Sequence, residues 1–346
     1  MRWLPPALAT IIFCGAACAE EPITRFAPII ANQTGGLIFQ YVAPVDGFIE
    51  SGPMAPQVQD SALAAALRAG GVDPTTGIDF GAVRGVLTLG EPPNTLNVLI
   101  GEAGFAAETP NVLLDRGYET REVAGTNVYA SGEDNAQNLR ERGNPLGGGL
   151  GKAQRVVILE VHLAVASNWA TIEGFLEPRA SGLAPVWTAS LDALESLSGD
   201  NQLETVVGFG AEVFLGQRLD PALMLNGDIN AIREAMEGEP ELRFPPFPFA
   251  LFAMEHGSAG SNLRIALPYV DLESAAAAAA HVTSELETLS GTAALSSELI
   301  EDNDLVVAII SIAFPAEDAA DAQVTLQRWL GAVMQRQFAP LTFAIP

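Results

Sequence analysis

The stretch Phe249-Ala250-Leu251-Phe252-Ala253-Met254-Glu255-His256-Gly257-Ser258-Ala259-Gly260, continued by Ser261-Asn262-Leu263-Arg264-Ile265-Ala266-Leu267-Pro268-Tyr269, carries the clearest structural signal in the chain. Two strand-sized apolar runs, Phe249 to Glu255 and Leu263 to Tyr269, flank Gly257-Ser258-Ala259-Gly260, a turn that brings the chain back antiparallel to itself. A long helix is predicted next, from an Asp271 cap through the alanine tract Ala275–Ala280 to Leu289. Leu305 to Phe314 reads as a β-branched strand ended by Pro315, and Ala316 to Gln335 as a last helix with Leu326, Leu330 and Val333 facing inward.

A matching order occurs earlier in the chain. Val58 to Ala69 is an amphipathic helix stopped at Gly70-Gly71, and Val83 to Leu89 with Leu96 to Gly101 form a hairpin around Glu91-Pro92-Pro93-Asn94. Phe105 to Leu114 reads as a short helix, and Glu119 to Val123 and Asn127 to Ala130 as brief strands. Val156 to Ala166 is the strongest strand of this half, followed by a helix from Trp169 to Leu176. The expected fold class is therefore α+β, with two similar lobes from an internal duplication, each an antiparallel sheet with helices packed on one face. The expected divisions are a signal peptide over 1–19, an N-terminal lobe over 20–177, a connecting segment over 178–248 and a C-terminal lobe over 249–346. The connecting segment holds a helix near Ala189 to Leu197, a strand Glu204 to Phe214 and a helix Asp228 to Met236, and ends at Pro245-Pro246-Phe247-Pro248.

The N-terminus predicts export to the periplasm or beyond. Arg2, the apolar run Leu8 to Ala17 and Ala17-Cys18-Ala19 follow the charged, apolar and small-residue order of a cleavable signal, with cleavage expected after Ala19. Acylation at Cys18 is the competing outcome, with Gly15 standing where a large aliphatic residue is wanted. Both cysteines, Cys14 and Cys18, lie in this segment, so the cleaved chain is expected to have no thiol chemistry and no disulfide. No later apolar run reaches the roughly 20 residues of a membrane span.

Forty-two acidic residues face 17 basic ones, a formal charge of −25, and every basic residue except Lys152 is arginine. Nucleic acid is not expected as a partner, because the cations are scattered singly. The glycine-rich loop Asn144 to Lys152 departs from a phosphate-binding loop at Leu146, where glycine is required, and at Ala153, where a hydroxyl is required. Asn226 to Asn230 with Glu234 and Glu237 resembles a calcium loop, but Ala231 occupies its glycine position. The three histidines, His162, His256 and His281, fall in separate elements, although Glu160 and His162 share a strand face by their spacing. His256-Gly257-Ser258-Ala259-Gly260 lacks the first glycine of a nucleophile elbow. No metal or cofactor is expected.

The stretches Asp79-Phe80-Gly81, Val86 to Pro93, Arg116-Gly117-Tyr118-Glu119, Tyr129 and Gly151 to Arg155 resemble uncharacterised exported bacterial proteins with repeated α+β halves, over about the first half of the chain. That resemblance implies a fold and no activity. The expected function is a non-catalytic binding or assembly module of the periplasm or cell envelope, with a small molecule or an envelope protein as partner. Gly147, Gly148, Gly149, Gly151, Lys152, Trp169, Trp187 and Tyr129 are the candidate ligand contacts. The alternatives are a carboxylate-dependent hydrolase of envelope polymers, with pairs such as Asp302/Asp304 or Glu133/Asp134, and a protein–protein scaffold.

Overall fold

The computed structural model describes residues 23–33, 35–51, 58, 60–91, 94–199, 201–215, 241–290 and 294–345. The predicted signal peptide, both cysteines, the calcium-loop resemblance and the helix Asp228 to Met236 lie outside these residues.

In the first part of the chain, α1 (Ala27–Ile30) and β1 (Leu37–Val42) are followed by α2 (Gly47–Glu50), α3 (Ser61–Ala69) and the hairpin β2 (Val83–Leu89) and β3 (Leu96–Gly101). Next come α4 (Thr109–Asp115), β4 (Glu119–Val123), β5 (Thr126–Ser131), β6 (Gln154–Ile158) and β7 (His162–Ala166). Two helices, α5 (Trp169–Leu176) and α6 (Ala184–Ser198), lead to β8 (Gln202–Gly210), and the two-residue β9 (Glu241–Leu242) follows. The last part holds β10 (Phe249–Gly257), β11 (Gly260–Tyr269), α7 (Leu272–Ser290), β12 (Ala294–Asp302), β13 (Leu305–Pro315), α8 (Ala319–Met334) and β14 (Ala344–Ile345).

Twelve of these strands form one antiparallel sheet, in the order β12-β13-β11-β10-β8-β1-β2-β3-β7-β6-β5-β4. The fold is α+β, and the sheet is continuous through the pairing of β1 with β8. β8, expected in the connecting segment, thus lies at its centre. Paired residues of antiparallel strands project from the same face. One such row runs through Phe252, Val207, Gln40, Thr88, Asn97 and Val165, and reaches Ser297 at one edge and Thr120 at the other.

Helices cover both faces, which corrects the one-face expectation. On the first face, α2, α3 and α4 bury Phe48, Leu63, Leu67 and Leu113 against Val42, Val86, Leu99 and Leu163. On the same face, α7 and α8 bury Val282, Leu326 and Trp329 against Val207, Phe252, Ile265 and Ile310. On the opposite face a single core runs across the β1–β8 seam, with α1, α5 and α6 supplying Ile30, Ile172, Trp187 and Leu191 over Phe39, Leu87, Leu251 and Ile309. Strands covered on both sides read as unbroken apolar runs, and Ala250 to Met254 is such a run.

Two strand expectations are also corrected. Val156 to Ala166 is a hairpin rather than one strand. Its turn is closed by the Leu159 N–H donating to the His162 carbonyl at 2.8 Å, and it leaves Glu160 exposed. Glu160 and His162 therefore do not share a face as a pair, because the chain reverses between them. The predicted strand Glu204 to Phe214 stops at Gly210 and continues as a single turn of 3₁₀ helix. The Asp271 cap occurs as expected, its carboxylate accepting from the Ser274 N–H at 2.7 Å and the Ser274 hydroxyl at 2.9 Å.

A buried ion pair ties the β10–β11 hairpin to the end of α6. Arg264 meets wholly buried Glu255 through Nε at 2.8 Å and Nη2 at 2.9 Å, and the Nη2 also donates to the Leu197 carbonyl at 2.8 Å. The Ser198 hydroxyl donates to the same carboxylate at 2.8 Å. Glu255→Ala strands a buried guanidinium, and urea unfolding is expected to show a loss of about 3–5 kcal/mol. The double change Glu255→Leu with Arg264→Met removes both charges and is expected to lose clearly less.

Candidate functional site

The first face holds a cavity of about 720 Å³ between its two groups of helices. Its floor is Gln40 of β1, Thr205, Val207 and Phe209 of β8, and Met254 of β10, while α8 walls it with Leu326, Leu330, Gly331 and Met334. Val58, just ahead of α3, borders it on the other side. The size falls within the ~300–1,000 Å³ of ligand pockets. Gly331 stands inside α8, where glycine destabilises a helix by roughly 0.5–1 kcal/mol relative to alanine. A side-chain carbon added there meets no atom within 4 Å, so no close neighbour requires the glycine.

A smaller polar compartment of about 150 Å³ adjoins it on the same face. Its floor includes Thr88 of β2, Asn97 of β3 and Val165 of β7, and its walls include Asp60, Gly147, Lys152 and Ser167. Gln40 of the large compartment pairs directly with Thr88 of the small one. Val58 and Asp60, two positions apart, border one compartment each. The Thr88 hydroxyl donates to Asn97 Oδ1 at 2.8 Å, and Asp60 Oδ1 accepts from the Ala62 and Leu63 N–H groups of α3 at 2.9 and 3.1 Å.

The glycine-rich loop is therefore part of the site, and a buried polar network positions it. The Tyr118 hydroxyl donates to Gln154 Oε1 at 2.6 Å, Asn144 Nδ2 donates to the same oxygen at 3.4 Å, and Asn144 Oδ1 accepts from the Leu146 N–H at 3.0 Å. Burial pushes the Tyr118 hydroxyl above its ordinary pKa. Backbone N–H of Lys152 donates to the Gly147 carbonyl at 2.7 Å and closes the loop. The glycines serve packing as well as access. A side-chain carbon on Gly148 would stand 2.3 Å from Asp60 Oδ2, and one on Gly151 would stand 2.1 Å from the Asn138 carbonyl. Gly149 lies within the short turn between them.

Of the candidate contacts, Gly147 and Lys152 line the polar compartment, and Gly148 abuts it through Asp60. Tyr129 is half-buried on the first face, two strands beyond Val165. Trp169 and Trp187 belong to the opposite face. Trp169 packs against its core, beside Arg121 at 4.4 Å and Arg155 at 5.1 Å. Trp187 is wholly buried, stacked on Phe249 at 3.4 Å. Sequence reading named these rings as candidate ligand contacts while weighing each singly as a core residue, and both pack into the core of the opposite face, Trp169 only in part. That reading missed Gln40, Phe209, Met254 and Gly331, which come from four elements and share no local motif.

The groups weighed for catalysis lie elsewhere. Asp302 and Asp304 are exposed at the β12–β13 turn, and Asp134 holds buried Arg155 at 2.7 Å. His256 Nδ1 is 3.0 Å from the Ser261 hydroxyl, His281 stacks on Phe244 at 4.7 Å, and His162 lies against Phe26 on the opposite face. Among the described residues, no three His, Cys, Asp or Glu side chains gather so as to hold a metal ion, and no helix is long and apolar enough to cross a membrane. Compared with known proteins, the chain matches no family model, no curated protein and no solved structure.

Burial, and secondarily the charge of Arg25, lower the His162 pKa from 6.5 to about 4. The folded state keeps this imidazole neutral while the unfolded chain takes up a proton below about pH 6.5, so its contribution to stability is lost as pH falls from there toward 4. The slope is at most about 1.4 kcal/mol per pH unit. Urea midpoints measured at pH 7 and pH 5 are expected to fall for the unaltered protein, and the fall is expected to be smaller for His162→Leu.

Proposed function

We propose that the protein is an exported, non-catalytic binding module whose ligand lies in the two-compartment groove of the first face. The observation that carries this reading is the large cavity over the β1–β8 seam, bordered by a helix glycine that packing does not require. Conserving such space inside a sheet covered on both sides forgoes dispersion contacts, and a bound ligand restores them.

Export is part of the proposal, supported by the signal-like order of residues 1–19. Ile23 and Phe26 are buried in the core, so cleavage after Ala19 spares every described packing contact. Duplication is supported by strand order. Outward from the seam, β1-β2-β3-β7-β6 runs against β8-β10-β11-β13-β12, with a helix ahead of each outer hairpin and β4–β5 inserted in the first half. The resemblance to exported proteins with repeated α+β halves agrees with this arrangement.

Intact protein taken from its exported fraction is expected to carry extra mass under native conditions that is lost on denaturation. Gly331→Leu places a side chain in the cavity and improves helix propensity by about 0.8–1 kcal/mol, so it is expected to keep or raise the melting temperature while losing the extra mass. Retention of the same mass by Gly331→Leu would place the ligand elsewhere.

A further inference from the structure

We infer that the groove takes a single-chain amphiphile with a carboxylate head, the acyl chain lying in the large compartment and the head meeting Lys152 in the polar one. This deepens the binding reading above and rests on it.

Most of the residues that line the large compartment are apolar. Val58, Val207, Phe209, Met254, Leu326 and Leu330 line it, and neither a lysine nor an arginine does. Its one carboxylate, Glu91, has Oε1 occupied by the Leu37 N–H at 3.1 Å. An acyl chain laid against these side chains gains about 0.8 kcal/mol for each methylene it buries, while a sugar or a peptide backbone has only Gln40, Thr205, Gln323, Gln327 and Glu91 of the lining to partner its hydroxyls or amides.

The polar end has the opposite character. Lys152 is the chain's single lysine and is half-buried. Among the described residues its ammonium makes no hydrogen bond or ion pair, although the chain carries a formal charge of −25. Asp60 borders the same compartment with Oδ1 committed to two N–H groups at the start of α3, a position that already favours its negative charge. One compact cation suits a monoanion, and a carboxylate there forms a charge-assisted contact in a partly desolvated setting; the Thr88 and Ser167 hydroxyls already donate to Asn97 and Asn135, each at 2.8 Å, so Lys152 is the head's principal donor.

Strand pairing sets the two compartments side by side. The row from Val207 through Gln40, Thr88 and Asn97 to Val165 crosses four strand-to-strand steps, roughly 19 Å at ~4.8 Å each. That span matches an extended long-chain acyl group rather than a short one. Along the row the change of character falls between apolar Val207 and polar Gln40, Thr88 and Asn97, with Val165 apolar again at the far end.

Delipidated protein is titrated with palmitate, its methyl ester and octanoate, delivered from cyclodextrin and followed by calorimetry and native mass. Palmitate is expected to bind once per chain, with the ester and octanoate each weaker by about tenfold or more. Lys152→Met is expected to lower palmitate affinity to that of the ester and leave the ester unchanged, while Lys152→Arg restores the preference. Equal binding of palmitate and ester, or unchanged palmitate affinity in Lys152→Met, would overturn the assignment of the head. If none of the three binds but the exported protein carries another mass that Gly331→Leu loses, the amphiphile inference fails and the binding reading stands. If none binds and the exported protein is bare, both fail.

Discussion

The stacking of Trp187 across the seam between β1, β8 and β10 is the contact on which the architecture turns. Its ring lies 3.4 Å from Phe249 and within 5° of parallel, and meets Phe39 edge-on at 5.7 Å. Gly208 of β8 makes room for both neighbours. A side-chain carbon there would come within 2.5 Å of the Phe39 ring and 3.3 Å of Trp187. One helix, α6, thereby fastens strands from both halves of the chain, and the sheet has no separate closure at its centre. Aromatic burial of this size is among the largest single stabilising terms a core can hold.

Because the opposite face is sealed in this way, the first face is free to remain open. Its helices come in two groups, each packed mainly over its own half of the sheet, with Leu37 of β1 alone packed against the core of the second group across the seam. The groove is the consequence. The buried charges of Glu255 and Arg155 are neutralised locally, the first by Arg264 and the second by Asp134 and three carbonyls, as buried charges require. Lys152 stands apart from that pattern, at the polar end of the groove.

Hairpins, caps and the long helices were legible in the chain because each depends on neighbours in sequence. The Asp271 cap, the β10–β11 turn and α3 with its glycine stop are local events. β1 and β12 were not legible. The first pairs with β2 and β8, both distant in the chain, so no adjacent strand marks it as half of a hairpin, and the second, at the sheet edge, is mostly exposed and polar. The loop at residues 147–152 was singled out from its glycines and lone lysine, and Gly147 and Lys152 line the polar compartment. Trp169 and Trp187, named with it, pack on the opposite face; ring chemistry alone does not distinguish a pocket wall from a core.

Composition and short-range periodicity suffice for the α+β class, the antiparallel hairpins, the acidic charge and the signal-like N-terminus. Only the tertiary structure decided that the sheet is continuous, that helices cover both of its faces, and that Gln40, Phe209, Met254 and Gly331 share one cavity with a neighbouring Lys152. Strand order and the gap between two helix layers come from contacts between residues far apart in the chain. No local pattern encodes which distant strand pairs with which, and burial decides it when all the layers assemble.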